Sequence, residues 1–246
     1  MNVTEYLNLH KKRAVLKHAF SNTLSKELDN IYSQFDKEIA SILRQGMLDG
    51  TITSSSFKIV INNFTNRFNS GVDSSAAKAS KKINEIYRGI YNILGYEDEF
   101  DEITLPVRYI DNFQISREIQ TVITKLRNGD ITENRARKAI RSRLRTPAHV
   151  ANTILNTNLA GIDNSSTQNV AVLARLDDYL YFGPNSEKSR PFCREHVGHI
   201  YSMQELETMD NGQGLPVQKY CGGYNCLHEL IPVDRKWKEL TKMDMT

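Results

Sequence analysis

Arg190-Pro191-Phe192-Cys193-Arg194-Glu195-His196 and, further on, Cys221-Gly222-Gly223-Tyr224-Asn225-Cys226-Leu227-His228 decide how this chain is read. They hold all three cysteines of the sequence and two of its six histidines, with His199 close behind the first segment. An odd number of cysteines argues against a disulfide framework and for metal or thiol chemistry in a reducing compartment. Zinc takes four ligands in a tetrahedron, usually from two short-spaced pairs that a loop brings together. Cys193 and His196 are three apart, and Pro191 favours a helical turn that would put both on one face. Cys226 and His228 are two apart, so on a strand both side chains point the same way. The 29 residues between the pairs are enough to fold the second back onto the first. A structural zinc site of Cys193, His196, Cys226 and His228 is therefore expected. Cys221 is a fifth candidate, because Gly222-Gly223 lets the chain turn and bring it in instead of a histidine. His199 is the weakest. Taken one at a time, each of these residues is a small buried hydrophobe or a surface histidine; their crowding is what points to an ion. No HExxH helix or spare carboxylate accompanies them, which argues for a closed site rather than a catalytic one.

Around these pairs the pattern is α+β. Tyr179-Leu180-Tyr181-Phe182, ended by Gly183-Pro184, predicts a strand, as do Val197–Tyr201 and Leu227–Val233. Ser202 and Glu205 make a capping box for a short helix over Met203–Met209, and Asn211–Gly223 reads as a Gly-rich loop. So short a segment buries too little apolar surface to stand alone, which is where a metal staple makes physical sense.

Upstream the chain is helical. Leu28, Ile31, Phe35, Ile39, Ile42 and Leu43 continue by threes and fours from Leu24, with Asn22 as N-cap and Gly46 and Gly50 as stops. Phe57, Ile61, Phe64 and Phe68 form a second stripe after Thr53-Ser54-Ser55-Ser56. Ala76, Ala79, Ile83, Ile86, Ile90 and Leu94 form a third, after Asp73-Ser74-Ser75. Such stripes are core faces rather than ligand sites. The acidic run from Glu97 to Glu102 and Leu105-Pro106 reads as a hinge. Helices resume at Ile115, Ile119, Val122 and Leu126, after Thr132, at Thr146-Pro147, and over Ser166–Leu176. The expected fold is mainly α: an extended N-terminal helical arm (1–96), a linker (97–111), a helical middle (112–177), a small α+β domain stapled by a Cys/His metal site (178–233), and a tail (234–246).

Composition narrows the classes. The 246 residues are 39% hydrophobic with a net charge of +3, and no apolar run approaches the ~20 residues a membrane-spanning helix needs. Met1-Asn2-Val3-Thr4-Glu5-Tyr6 lacks the basic-then-apolar pattern of a secretory signal, so a soluble protein made in the cytosol is expected. Charge is concentrated between Lys125 and Arg145, where Lys125, Arg127, Arg135, Arg137, Lys138, Arg141, Arg143 and Arg145 are opposed only by Asp130 and Glu133. Arg135, Arg137, Lys138, Arg141, Arg143 and Arg145 would fan over a helix whose Ala136, Ala139, Ile140 and Leu144 face inward. Such a surface suits DNA phosphates or an acidic protein ring; the plain alternative is a solvated helix face. No aromatic is interleaved, so base stacking is not expected.

The segment Asn185–Cys193 with Gly198-His199-Ile200-Tyr201, and Asn211–Val217 with Gly222–His228, resemble the phage head morphogenesis family, typified by the minor head protein F of phage Mu. In that family a [TS]-R-P-x-C segment precedes a G-x-x-[YF] strand, and an N-C-R-[HC] element closes the domain before a short apolar-Pro strand. Leu227 stands where an arginine is common, and His228 where relatives carry His or Cys. The resemblance covers about residues 150–233 and does not extend to residues 1–110. It implies a low-copy virion protein near the portal or inner capsid, present in the host cytoplasm during assembly. Its implied work is head assembly, extending to DNA packaging or delivery, with the portal protein, the major capsid protein and packaged DNA as partners. It also implies that the Cys/His residues bind metal and that the role is not turnover of a small-molecule substrate; no enzyme activity and no membrane partner are expected. The competing classes are a metal-dependent nuclease and a zinc-containing DNA-binding regulator. The first lacks carboxylates beside the cluster, and the second lacks base-reading side chains on the basic helix. An ADP-ribosyltransferase module, which accompanies this domain in some proteins, has no chain left to occupy.

Overall fold

The computed structural model describes residues 1–48, 54–107 and 112–237, and their side chains except at 46–48, 54–57, 112–116, 144–148 and 151. The protein is mainly helical, with one small antiparallel sheet. Four long helices come first: α1 (Val3–Leu48), α2 (Ser54–Leu94), α3 (Asn112–Arg127) and α4 (Glu133–Ala174). There follow β1 (Asp178–Phe182), α5 (Pro191–His196), β2 (Ile200–Ser202), α6 (Met203–Thr208), α7 (Val217–Tyr220) and β3 (Glu229–Val233). No helix among the described residues is long and apolar enough to cross a membrane.

The helices are fewer and longer than the sequence suggests, for identifiable reasons. Helix α1 begins at Val3, where Asn2 Oδ1 accepts the Glu5 N–H at 3.2 Å, and Asn22 lies inside the helix rather than capping it. Between residues 6 and 17 the inward face keeps the 3.6-residue spacing but carries His10, Arg13 and Lys17, all buried, so no apolar stripe marks it. Helix α2 runs through Asp73-Ser74-Ser75 because the buried Ser75 hydroxyl donates to Glu27 at 2.6 Å instead of competing for its own backbone. Helix α4 is one element where three were expected. It starts as predicted after Thr132, whose hydroxyl accepts the Arg135 N–H at 3.4 Å. It continues through Gly161 and Asn164, whose features serve tertiary contacts. A Cβ at 161 would lie 2.6 Å from the Tyr220 ring, so only glycine lets that ring seat against the helix. The Asn164 amide donates to Lys219 O at 3.0 Å and accepts the Leu230 N–H at 3.1 Å.

The chain divides into two compact units, drawn differently from the expected segments. Unit 2 comprises Asn22–Ser75 and Val107–Asn152. Its core is the predicted stripe of Leu24, Leu28, Phe35, Ile39 and Leu43 with Ile61, Phe64, Phe68, Ile119, Val122, Ala136 and Ile140.

Unit 1 comprises Met1–Ser21, Ala76–Pro106 and Thr153–Thr246, so residues 178–233 share a core with helical segments from three parts of the chain. Residues 103–105 of the expected hinge pack along α2. Ile103 and Leu105 are buried, and Asn84 exchanges hydrogen bonds with the Ile103 backbone at 2.8 and 3.1 Å. Residues 108–111 of that hinge and 238–246 of the tail lie outside the described residues, while the Trp237 ring packs edge-on against Tyr6 at 5.8 Å.

The sheet has the order β2-β1-β3, all antiparallel, with Tyr179 opposite Tyr201 and Tyr181 opposite Leu230. Strands β2 and β3 start at Ile200 and Glu229, a little later than the alternation suggests, while the Ser202–Glu205 capping box forms as expected. Strand β3 is an edge strand, which tolerates Pro232. Its outer rim is satisfied by side chains. Lys17 Nζ donates to His228 O at 3.2 Å, Arg13 Nη2 to Leu230 O at 3.1 Å, and Tyr6 to Pro232 O at 3.2 Å.

His10 in this core makes a prediction of its own. It is fully buried beside Tyr6, ring centroids 4.5 Å apart, and neither ring nitrogen has a hydrogen-bond partner among the described residues. Burial first, and then the Arg13 charge, hold its pKa well below the usual histidine value. The unfolded chain therefore takes up a proton below about pH 6.5 that the folded chain refuses, so stability is full above that pH and lost below it. The expected loss approaches ~1.4 kcal/mol per pH unit. His10→Leu should flatten the difference between urea midpoints at pH 7.5 and pH 5. An unchanged difference would show that the proton is taken up elsewhere.

A candidate metal centre

Cys193 is presented by α5, where Pro191 occupies the first turn and needs no N–H partner. Cys226 and His228 sit on the loop that enters β3, after a turn in which Cys221, Gly223 and Asn225 all take positive φ. Cys193 Sγ lies 3.7 Å from Cys226 Sγ, and Cys226 Sγ lies 3.5 Å from His228 Nδ1. All three donor atoms fall within 4.8 Å of one another, and all three residues are buried. This group could hold a metal ion.

The surroundings orient the donors. His228 Nε2 lies 2.9 Å from the Pro184 carbonyl, which only accepts, so Nε2 carries the proton and the Nδ1 lone pair is free to face Cys226. A fixed second nitrogen of this kind is the usual support of a ligating histidine. Cys226 accepts the Gly222 N–H at 3.2 Å. The hydrogen bond from the Cys193 thiol beside it holds its pKa well below the usual thiol range. Cys193 moves the opposite way: its hydrogen bond to Cys226, together with burial, raises its pKa. The thiolate is the form that binds metals. The Tyr181 hydroxyl, fully buried, donates to Cys193 Sγ at 3.4 Å. Gly222 has to be glycine, since a Cβ there would overlap Cys193 Sγ and lie 3.2 Å from Cys226 Sγ.

The other expected ligands are elsewhere. His196 turns away: its Nδ1 is 3.0 Å from the Tyr201 hydroxyl, and its ring packs edge-on against Phe192 at 4.3 Å. Cys221 is buried, but its Sγ takes the Asn164 amide at 3.5 Å and is not one of the converging donors. Two supports gave no sequence signal. The Pro184 carbonyl is a backbone group that read only as a strand stop, and Tyr181 read only as a strand residue. Gly222 was legible as a sharp turn.

Beneath the centre, in the same unit, lies a cluster of ionic side chains with no counterpart in the expected site. Arg13 pairs with Asp163 and Glu229, both at 3.2 Å, and Lys17 pairs with the same two carboxylates at 3.3 and 3.6 Å. Tyr87 and Thr167 complete the shell of Arg13. Burial alone would lower the pKa of both cations, but Asp163 and Glu229 more than offset it and both stay raised. The Glu229 carboxyl is raised as well, by burial that the two cations only partly oppose.

In unit 2 the basic residues are partly neutralised at home. Arg137 and Arg141 both reach Asp36 at 3.1 Å, and Arg143 lies 3.7 Å from Glu118. Arg135 and Lys138 are exposed, and the side chain of Arg145 lies outside those described. The cleft that Arg137, Lys138 and Arg141 line also holds Asp29 and Asp36, which weakens its pull on a polyanion.

Comparison with protein-family models, with curated proteins and with solved structures found no match.

Proposed function

We propose that the chain is a minor head protein of a tailed phage, acting in head assembly near the portal and inner capsid, with a structural zinc ion in unit 1. The observation that carries the reading is the convergence of Cys193, Cys226 and His228, which belong to the segments that resemble the head morphogenesis family. Zinc–sulfur and zinc–nitrogen bonds of about 2.3 and 2.0–2.1 Å require tetrahedron edges of about 3.8 Å between sulfurs and about 3.6 Å between sulfur and nitrogen. The observed 3.7 and 3.5 Å fit those edges. Bound there, the ion would join α5 to the loop before β3. Portal and major capsid proteins are the proposed partners. Contact with packaged DNA, through Arg135, Lys138 and their neighbours, would be salt-sensitive and without sequence preference.

Three protein donors rather than four among the described residues favour one second reading, a hydrolytic zinc with an open position. Against it, the donors are enclosed (Cys193 1%, Cys226 3% and His228 3% exposed), and the adjacent Glu229 is committed to Arg13 and Lys17. Elemental analysis of the purified protein should find one zinc per chain, and the protein should co-sediment with portal rings and occur in purified particles. Absence from particles would end the head-protein reading. Plasmid nicking that depends on His228 would favour the nuclease.

A further inference from the structure

The ionic cluster of unit 1 has no role in the reading above, yet it touches the candidate centre directly. Lys17 Nζ donates to the backbone carbonyl of His228, the residue whose ring supplies Nδ1. The same ammonium group bridges Asp163 on α4 and Glu229, the next residue in the chain. Arg13, one helical turn earlier on α1, holds the Glu229 carboxylate and the Leu230 carbonyl. Asn164 takes the Leu230 N–H and also donates to Cys221 Sγ. The backbone from His228 to Leu230 is therefore gripped on its outer rim by α1 and α4, while its other side pairs with β1. The direction of the His228 ring follows from that grip together with the Pro184 carbonyl.

We propose that Lys17 and Arg13 are positioning residues for the metal centre, so that ion binding at Cys193, Cys226 and His228 and the docking of residues 3–20 of α1 on β3 strengthen each other. The inference rests on the zinc reading. Its logic is reciprocal: if the docked helix sets the donor geometry an ion prefers, the ion must favour the docked helix by the same factor. The cluster is suited to such coupling because its four charges balance only when all are assembled. Withdrawing α1 would strip Asp163 and Glu229 of both cations they pair with. A hydrophobic clamp would tolerate small displacements; paired charges held by fixed hydrogen bonds tolerate few.

The test uses the full chain, with zinc and cobalt as probes. Hydrogen exchange of the wild-type protein, zinc-loaded against chelated, should show amides between Tyr6 and Phe20 at least ~10-fold better protected with zinc. Lys17→Met should weaken zinc binding about 10–100-fold, as loss of a group that orients a ligand does, and should shift the visible absorption of the cobalt-loaded protein. Lys17→Arg, keeping the charge and the donors, should recover most of the affinity. Ile90→Val, a core substitution in the same unit, should leave affinity and spectrum unchanged, which separates positioning from general loss of stability. If zinc binds but neither helix protection nor Lys17→Met affinity responds, the coupling is refuted and the metal reading stands. If no zinc or cobalt binds at all, both fall. If Lys17→Met does not fold, the wild-type exchange experiment decides alone.

Discussion

Cys226→Ser is expected to release the ion and to lower the melting temperature of the zinc-loaded protein by about 8–16 °C. Cys226 is the hinge of the centre, since its sulfur faces both Cys193 and His228. Serine cannot supply a thiolate, and two donors that no longer share a neighbour do not make a site. The size follows from linkage. An ion present at a thousand times its dissociation constant stabilises the folded state by ~4.1 kcal/mol, and for a chain of this length each kcal/mol moves the midpoint by roughly 2–4 °C. Chelation of the wild-type protein should reproduce the shift, and chelation of Cys226→Ser should add nothing. Scanning calorimetry with and without chelator checks both. A wild-type melting point indifferent to chelator would remove the zinc reading, whatever the serine variant did.

Arg13→Met should cost about 3–5 kcal/mol, the range for removing one partner of a buried ion pair. Arg13 is 1% exposed, and its loss strips Asp163 and Glu229 of their shared guanidinium, leaving Lys17 to face two carboxylates. The stranded charge, rather than the lost attraction, is the larger part of that cost. Arg13→Met combined with Glu229→Gln restores balance among the remaining ionic groups, one cation against one anion. The double variant should therefore be more stable than Arg13→Met alone, by about 1–3 kcal/mol, the desolvation cost of leaving such a group unpaired. Urea denaturation of the wild type, Arg13→Met, Glu229→Gln and the double variant measures the terms. A double variant no better than Arg13→Met would mean that the packing of the guanidinium, not its charge, is what the core requires.

How far the sequence could be read depended on whether burial and polarity agreed. Where buried positions are apolar, as from Leu24 to Leu43 or Ile61 to Phe68, helical spacing located the helices. Where they are His10, Arg13 and Lys17, the spacing persists but the polarity hides it, and the first turns of α1 went unseen. The same reversal hid the continuity of α2 and α4. Ser75 and Asn164 look like helix punctuation, and become helix interior once their side chains bond to Glu27 and to the backbone of Lys219 and Leu230. In the centre, Cys193 meets Cys226 only through the fold, 33 residues away, whereas short spacing alone picked out Cys226 and His228. It also picked His196, whose distance from Cys193 is equally suitable. What diverts His196 is a ring and a hydroxyl, Phe192 and Tyr201, whose combined grip depends on where β2 folds. Gly222 and the Pro184 carbonyl matter through proximity to sulfur and imidazole, which no linear spacing encodes.

The occupied rim of β3 carries a consequence for how this protein joins other molecules. An unpaired strand is ordinarily an invitation to extend the sheet with a neighbour's backbone, the commonest route to unwanted fibrils. Here Lys17, Arg13 and Tyr6 already take the carbonyls of His228, Leu230 and Pro232. A visiting strand would have to evict two buried cations to reach them. That margin is closed to backbone recruitment, so copies of this chain are kept from polymerising through it.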